Sequence, residues 1–121
     1  MIHHGKMQDW RIERSGKRVL AFRGRKVGES STHSHQGYTQ NRWDEYRLYV
    51  SVRGTYILEH EYSTQWQGES GHIEAVTAAT IPALIEDARE EMWEDGPDLP
   101  DAVRECIEDA GLQDEMDERI E

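Results

Sequence analysis

The side chains of this chain that could do chemistry are six histidines, one cysteine and 25 carboxylates. His33 and His35 are two residues apart, so on an extended segment both rings face the same way. Zinc takes three or four ligands from Cys, His and carboxylate side chains. His60 and His72, with Glu59 or Glu74, would have to complete such a set. Neither a paired C-x-x-C nor an H-E-x-x-H is present. Spacing therefore predicts no metal site and no cofactor, with His33, His35, His60 and His72 failing to converge. His3 and His4 could hold an ion loosely, without function.

Nucleophilic catalysis has less support. No G-x-S-x-G places a serine on a sharp turn, and no G-x-x-x-x-G-K-[ST] cradles a phosphate. Cys106 falls inside a helical pattern between Glu105 and Glu108, where negative charge suppresses the thiolate. A single cysteine permits no internal disulfide. With so many acids, any carboxylate pair chosen for glycoside chemistry is uninformative. The expectation is a protein that is not an enzyme.

The charge layout says more. The chain carries a formal −11 over 121 residues. Residues 1–63 are net +4 and residues 64–121 net −15. In the helical pattern after Thr80, Glu86, Glu90 and Glu94 are four apart, as are Asp87, Glu91 and Asp95. These like-charge contacts cost about 0.2–0.5 kcal/mol each, and Arg89 alone relieves them. Glu105 and Asp109 extend the acidic surface on the next helix. Two carboxylate ridges present a periodic negative face that can steer towards a basic protein. By analogy of charge and size, nucleic-acid mimics that inhibit restriction or CRISPR machinery work this way. The partner expected is thus a basic protein, one that handles nucleic acid.

The basic half supplies an alternative. Arg23, Arg25, Lys26, Arg47, Tyr49 and Arg53 lie among aromatic residues, and such a set can track a backbone and stack bases. If Arg47, Tyr49 and Arg53 line the solvent face of a sheet, they form a short nucleic-acid stripe. The overall acidity argues against it. A small metal-dependent enzyme is the other alternative.

These residues must be positioned by two kinds of element. Leu, Ile, Val and Phe make up only 21 of 121 residues, a composition that with this charge leans towards disorder. Four Trp and five Tyr supply the missing apolar area, and the apolar residues are patterned. Ser15-Gly16 signals a hairpin between Trp10–Arg14 and Lys17–Phe22, and Gly24 and Gly28 permit bends or bulges. Ser30–Gln40 reads as a loop. Trp43–Val52 puts Tyr46, Leu48, Val50 and Val52 on one face. After a turn at Gly54, Tyr56–Ser63 puts Tyr56, Leu58, His60 and Tyr62 on one face, with Val50 near Leu58 and Tyr46 near Tyr62. His72–Thr77 is a further strand with Ile73 and Ala75 inwards.

The period then changes to helical. Thr80 caps a helix with the stripe Ile81, Leu84, Ile85, Ala88 and Met92, ended by Gly96-Pro97. Leu99, Val103, Cys106, Ile107 and Ala110 form a second stripe closed by Gly111, and Leu112, Met116 and Ile120 suggest a short third helix. The fold class is α+β: one domain, an antiparallel sheet of four to five strands over 1–79 with two to three helices over 80–121. Arg42-Trp43-x-Glu45-x-x-Leu48-Tyr49 followed by Gly54-x-Tyr56-Ile57-Leu58 resembles a hairpin in small actinobacterial proteins of unassigned role. That group has no settled activity, so the resemblance carries over no catalytic residue. Absence of an apolar leader and of long apolar runs gives a cytoplasmic, membrane-free expectation.

Overall fold

The computed structural model describes residues 5–32, 42–65, 68, 70–92 and 100–116. Five strands, β1 (Gln8–Ile12), β2 (Leu20–Ser31), β3 (Arg42–Ser51), β4 (Tyr56–Thr64) and β5 (His72–Ala78), form one antiparallel meander in sequence order. Two helices follow, α1 (Ile81–Glu91) and α2 (Asp101–Asp109), then one 3-10 turn at Gln113–Glu115. The α+β expectation holds, with five strands and two α-helices among the described residues. In place of a third helix stands the 3-10 turn; Ile120 lies outside the described residues, as do Gly96, Pro97 and Leu99.

Local chemistry sets the element ends. Gly16, Gly54 and Gly68 take positive φ in the connections, a conformation open to glycine without strain. Thr80 is extended and its Oγ1 accepts from Ala83 N at 3.2 Å, capping α1. Gly111, at φ 75°, closes α2: its N–H bonds Glu108 O, and Leu112 N–H bonds Ile107 O, the paired pattern of a glycine C-terminus.

The sheet separates two apolar clusters. Leu48, Leu58, Val76, Tyr46 and Val27 share one with Ile81, Leu84 and Ala88 of α1 and Val103, Cys106 and Ile107 of α2. The predicted helical stripes are therefore the buried ones. Val27 joins this cluster through a bulge between Lys26 and Gly28, where the strand register shifts. The second cluster, on the other face, holds Ile12, Tyr49, Ile57 and Ala75 with Trp10, Leu20, Phe22 and Ile73 against it. The sheet curls around it, and the β1–β2 turn reaches β5: Ser15 N–H bonds Ile73 O at 2.8 Å, and Ile73 N–H bonds Ser15 Oγ at 2.9 Å.

Several sequence expectations are corrected. Ile73 and Ala75 do point inwards, but into this second cluster, while Val76 and Ala78 face the helices. Ser30 and Ser31 belong to β2, not to a loop. Val52 sits in the turn and is exposed. The β3–β4 register is offset by two residues from the expected one: Leu48 pairs Leu58, Val50 pairs Tyr56, and Tyr46 pairs His60. An offset of two keeps every side chain on its expected face, so the face assignments for β3 and β4 stand. No helix among the described residues is long and apolar enough to cross a membrane.

Candidate functional site

The acidic residues of α1 are placed by its apolar stripe. Ile81, Leu84 and Ala88 are buried, so Glu86, Asp87, Glu90 and Glu91 are turned outwards, and all four are exposed. Arg89 Nη1 donates to Glu86 Oε1 at 3.0 Å, and Lys17 Nζ to Glu91 Oε2 at 3.2 Å. Asp87 and Glu90 make no ion pair among the described residues, although Arg14 and Lys17 line one hollow with them. Glu94 and Asp95 lie outside the described residues. On α2, Glu105 is half-buried. Asp109 is exposed, but its Oδ2 accepts from Glu29 N at 3.0 Å. It therefore caps the edge of β2 as well as carrying surface charge, a role the charge pattern did not indicate.

The predicted basic stripe is not continuous. Tyr49 is 3% exposed, and it lies inside the curl between Trp10 and Phe22, with ring centroids 4.8 and 5.5 Å away. Its hydroxyl donates to Glu59 Oε1 at 2.7 Å. Burial, then this bond, push the phenol well above its ordinary value. Arg47 stands beside it, 3.4 Å from Glu59, 2.9 Å from Glu61 and 3.4 Å from Glu45. Burial works against its charge, but the Glu61 and Glu59 carboxylates outweigh that and raise its pKa. The expectation that Arg47 and Tyr49 face solvent is thus corrected: alternation defined a face, and the curl buried it. Lys26 pairs with Glu29 and Arg23 with Asp9. Arg25 is exposed, and so is Arg53 on the β3–β4 turn, which bonds back through Val52 N–H to Arg23 O.

A third constellation sits on the helix-facing side of the sheet, one row beyond the Leu48–Leu58–Val76 row. Strand register places Tyr46, His60 and Glu74 side by side, and Asp44, Tyr62 and His72 in the next row. His60 is 6% exposed and stacks on Tyr46 at 4.7 Å and 16°. Its Nε2 is 2.7 Å from Asp44 Oδ1 and its Nδ1 is 3.3 Å from Glu74 Oε2. Burial disfavours the imidazolium, but the bonds to Asp44 and Glu74 prevail and raise its pKa. His72 stacks on Tyr62 at 5.4 Å, and its Nε2 is 4.0 Å from Glu74 Oε1.

His60 and His72 come together, with ring centroids 5.9 Å apart, although their spacing in the chain gave no sign of it. Twelve residues apart in the chain, they are brought together by the antiparallel β4–β5 pairing, a ladder that no ligand motif records. Glu74 joins them; Glu59, the other carboxylate considered, is on the opposite face. His33 and His35, with His3 and His4, lie outside the described residues. Comparison with protein-family models, curated proteins and solved structures found no match to this chain.

Proposed function

We propose that the chain acts by binding a basic protein through the carboxylates of α1, and that this partner is one that handles nucleic acid. Glu86, Asp87, Glu90 and Glu91 form the described part of the surface, and Glu94 and Asp95 continue its sequence pattern. The supporting observation is where the sheet's cations go. Arg47, Lys26 and Arg23 pair with carboxylates of the sheet itself, and Lys17–Glu91, from the β1–β2 turn, is the one ion pair from the β-rich half to α1 among the described residues. Asp87 and Glu90 are thus left without an ion pair among the described residues. Exposed carboxylates in two ridges suit fast, salt-sensitive docking on a surface built for phosphates. The mode is inhibition by mimicry rather than chemistry, acting in the cytoplasm.

The test uses the chain as bait in its host, then the purified pair. A captured basic protein should bind the purified chain with an association rate that falls as salt rises. The variant Glu86→Gln/Asp87→Asn/Glu90→Gln/Glu91→Gln should bind it at least tenfold more weakly. Unchanged binding by that variant would return the face to simple solvation. Oligonucleotide binding at micromolar affinity and physiological salt, weakened by Arg25→Ala and Arg53→Ala, would replace this reading with direct nucleic-acid recognition.

A further inference from the structure

The row of polar side chains where β3, β4 and β5 meet has the composition of a metal centre. One ring nitrogen each of His60 and His72 and one carboxylate oxygen of Glu74 all lie within 4.8 Å of one another. A tetrahedral ion with bonds of about 2.0–2.2 Å needs its ligand atoms roughly 3.3 Å apart. The separation between His60 Nδ1 and Glu74 already meets this, at 3.3 Å. His72 has the remaining distance to close. Its side chain is 45% exposed and that of Glu74 35%, so both can adjust without disturbing the core. His60 cannot move in this way, because Tyr46 stacks on it and Asp44 holds its far nitrogen. The set therefore combines one rigid ligand with two adjustable ones.

We propose that His60, His72 and Glu74 bind one divalent transition-metal ion of the zinc class, with Asp44 holding His60 from behind. Asp44 is the second support for this assignment. A histidine that ligates a metal through one nitrogen commonly donates its other N–H to a carboxylate, which fixes the ring and strengthens the ligand. Asp44 Oδ1, 2.7 Å from His60 Nε2, has that position, and it leaves Nδ1 directed at Glu74. Two imidazoles and a carboxylate suit zinc, cobalt, nickel or copper, and disfavour magnesium and calcium, which take oxygen ligands. Three protein ligands leave a fourth position, which water can reach past the half-exposed His72 and Glu74. The proposal is independent of the acidic face of α1.

The experiment titrates zinc alone into tag-free, chelator-treated full-length chain by calorimetry, with cobalt as a spectroscopic probe. One zinc per chain should bind at micromolar affinity or tighter, and cobalt should give the intense visible bands of four-coordination. His72→Ala and Glu74→Gln, both at half-exposed positions, should each weaken binding at least tenfold while circular dichroism stays unchanged. Asp44→Asn should weaken it by about 10–100-fold, as outer-shell changes do. Magnesium should not compete. Failure to bind zinc below 100 µM would overturn the proposal. So would binding that survives both His72→Ala and Glu74→Gln, because the metal would then sit on other histidines and the cluster would be a hydrogen-bonded network only.

Discussion

The backbone of Gly28 meets the carbonyl of Cys106 so closely that a Cβ on Gly28 would stand 2.3 Å from that oxygen. This contact seats α2 on β2. Ser30 Oγ donates to Ala102 O and Asp109 accepts from Glu29 N beside it, so three successive β2 residues each engage the helix. Gly28→Ala forces α2 off the strand, an overpacking cost of about 1–3 kcal/mol. Urea unfolding should show a lower midpoint with unchanged slope. A variant as stable as the parent would mean that α2 is not held at this point.

Glu59 is 6% exposed and depends on Tyr49 and Arg47 for its partners. Tyr49→Phe removes one donor from a buried carboxylate and should destabilise by about 1–3 kcal/mol. Adding Glu59→Gln should recover part of the loss, because the neutral amide tolerates the missing hydroxyl better. A double-mutant cycle in urea measures the coupling, and additive single effects would contradict the pairing.

Alkali should unfold the protein early. Burial, with the Asp109 and Glu29 charges adding to it, pushes the Cys106 thiol up from 9.0 to about 12. A proton held more tightly in the folded state gives stability that is complete below the unfolded value and lost as pH rises through the folded one. The window runs from about 9 to about 12, and the raised Tyr46 and Tyr49 phenols act in the same direction above their ordinary 10.0. Stability should therefore fall from pH 9 upwards, and in Cys106→Ala the decline should begin nearer pH 10. The native thiol should also resist aromatic disulfide reagents at pH 8, and modification as fast as that of the unfolded chain would contradict its burial.

Neutralising α1 should not cost stability. Asp87 and Glu90 are exposed without an ion pair among the described residues, and each faces a like charge four residues away. Asp87→Asn with Glu90→Gln should leave the melting temperature unchanged or raise it, since each relieved contact contributes about 0.2–0.5 kcal/mol. A fall of several degrees would show that these carboxylates hold the fold and would remove the argument for their surplus charge.

Periodicity made most of the fold readable. The stripe Ile81, Leu84 and Ala88 and the alternation of Tyr46, Leu48 and Val50 each name a buried face, because helix and strand geometry leave no other. The curl was not readable. A strand reports two faces, and polar residues such as Arg47 and Glu59 mark one as outer; only pairing with the apolar Tyr49, Ile57 and Trp10 reveals it as concave. In hindsight Ile57 and Leu58, consecutive and both apolar, signal a strand buried on both sides. The histidine cluster was hidden for a related reason. His60 and His72 meet across the β4–β5 ladder, and alternation along each strand does not say which residues of the two strands are paired.

The clasp between Ser15 and Ile73 has a consequence for how the chain reaches this structure. Every strand pairs with its neighbour in sequence, so β1 to β5 can zip together hairpin by hairpin, each step closing a short loop. Ser15 and Ile73 are 58 residues apart, and their two hydrogen bonds close the sheet only after all four hairpins exist. Ser15→Ala should consequently leave the refolding rate unaltered and speed unfolding, marking the clasp as a latch set after the rate-limiting step. With the latch set last, the aromatic interior around Tyr49 should be the last part of the molecule closed to solvent.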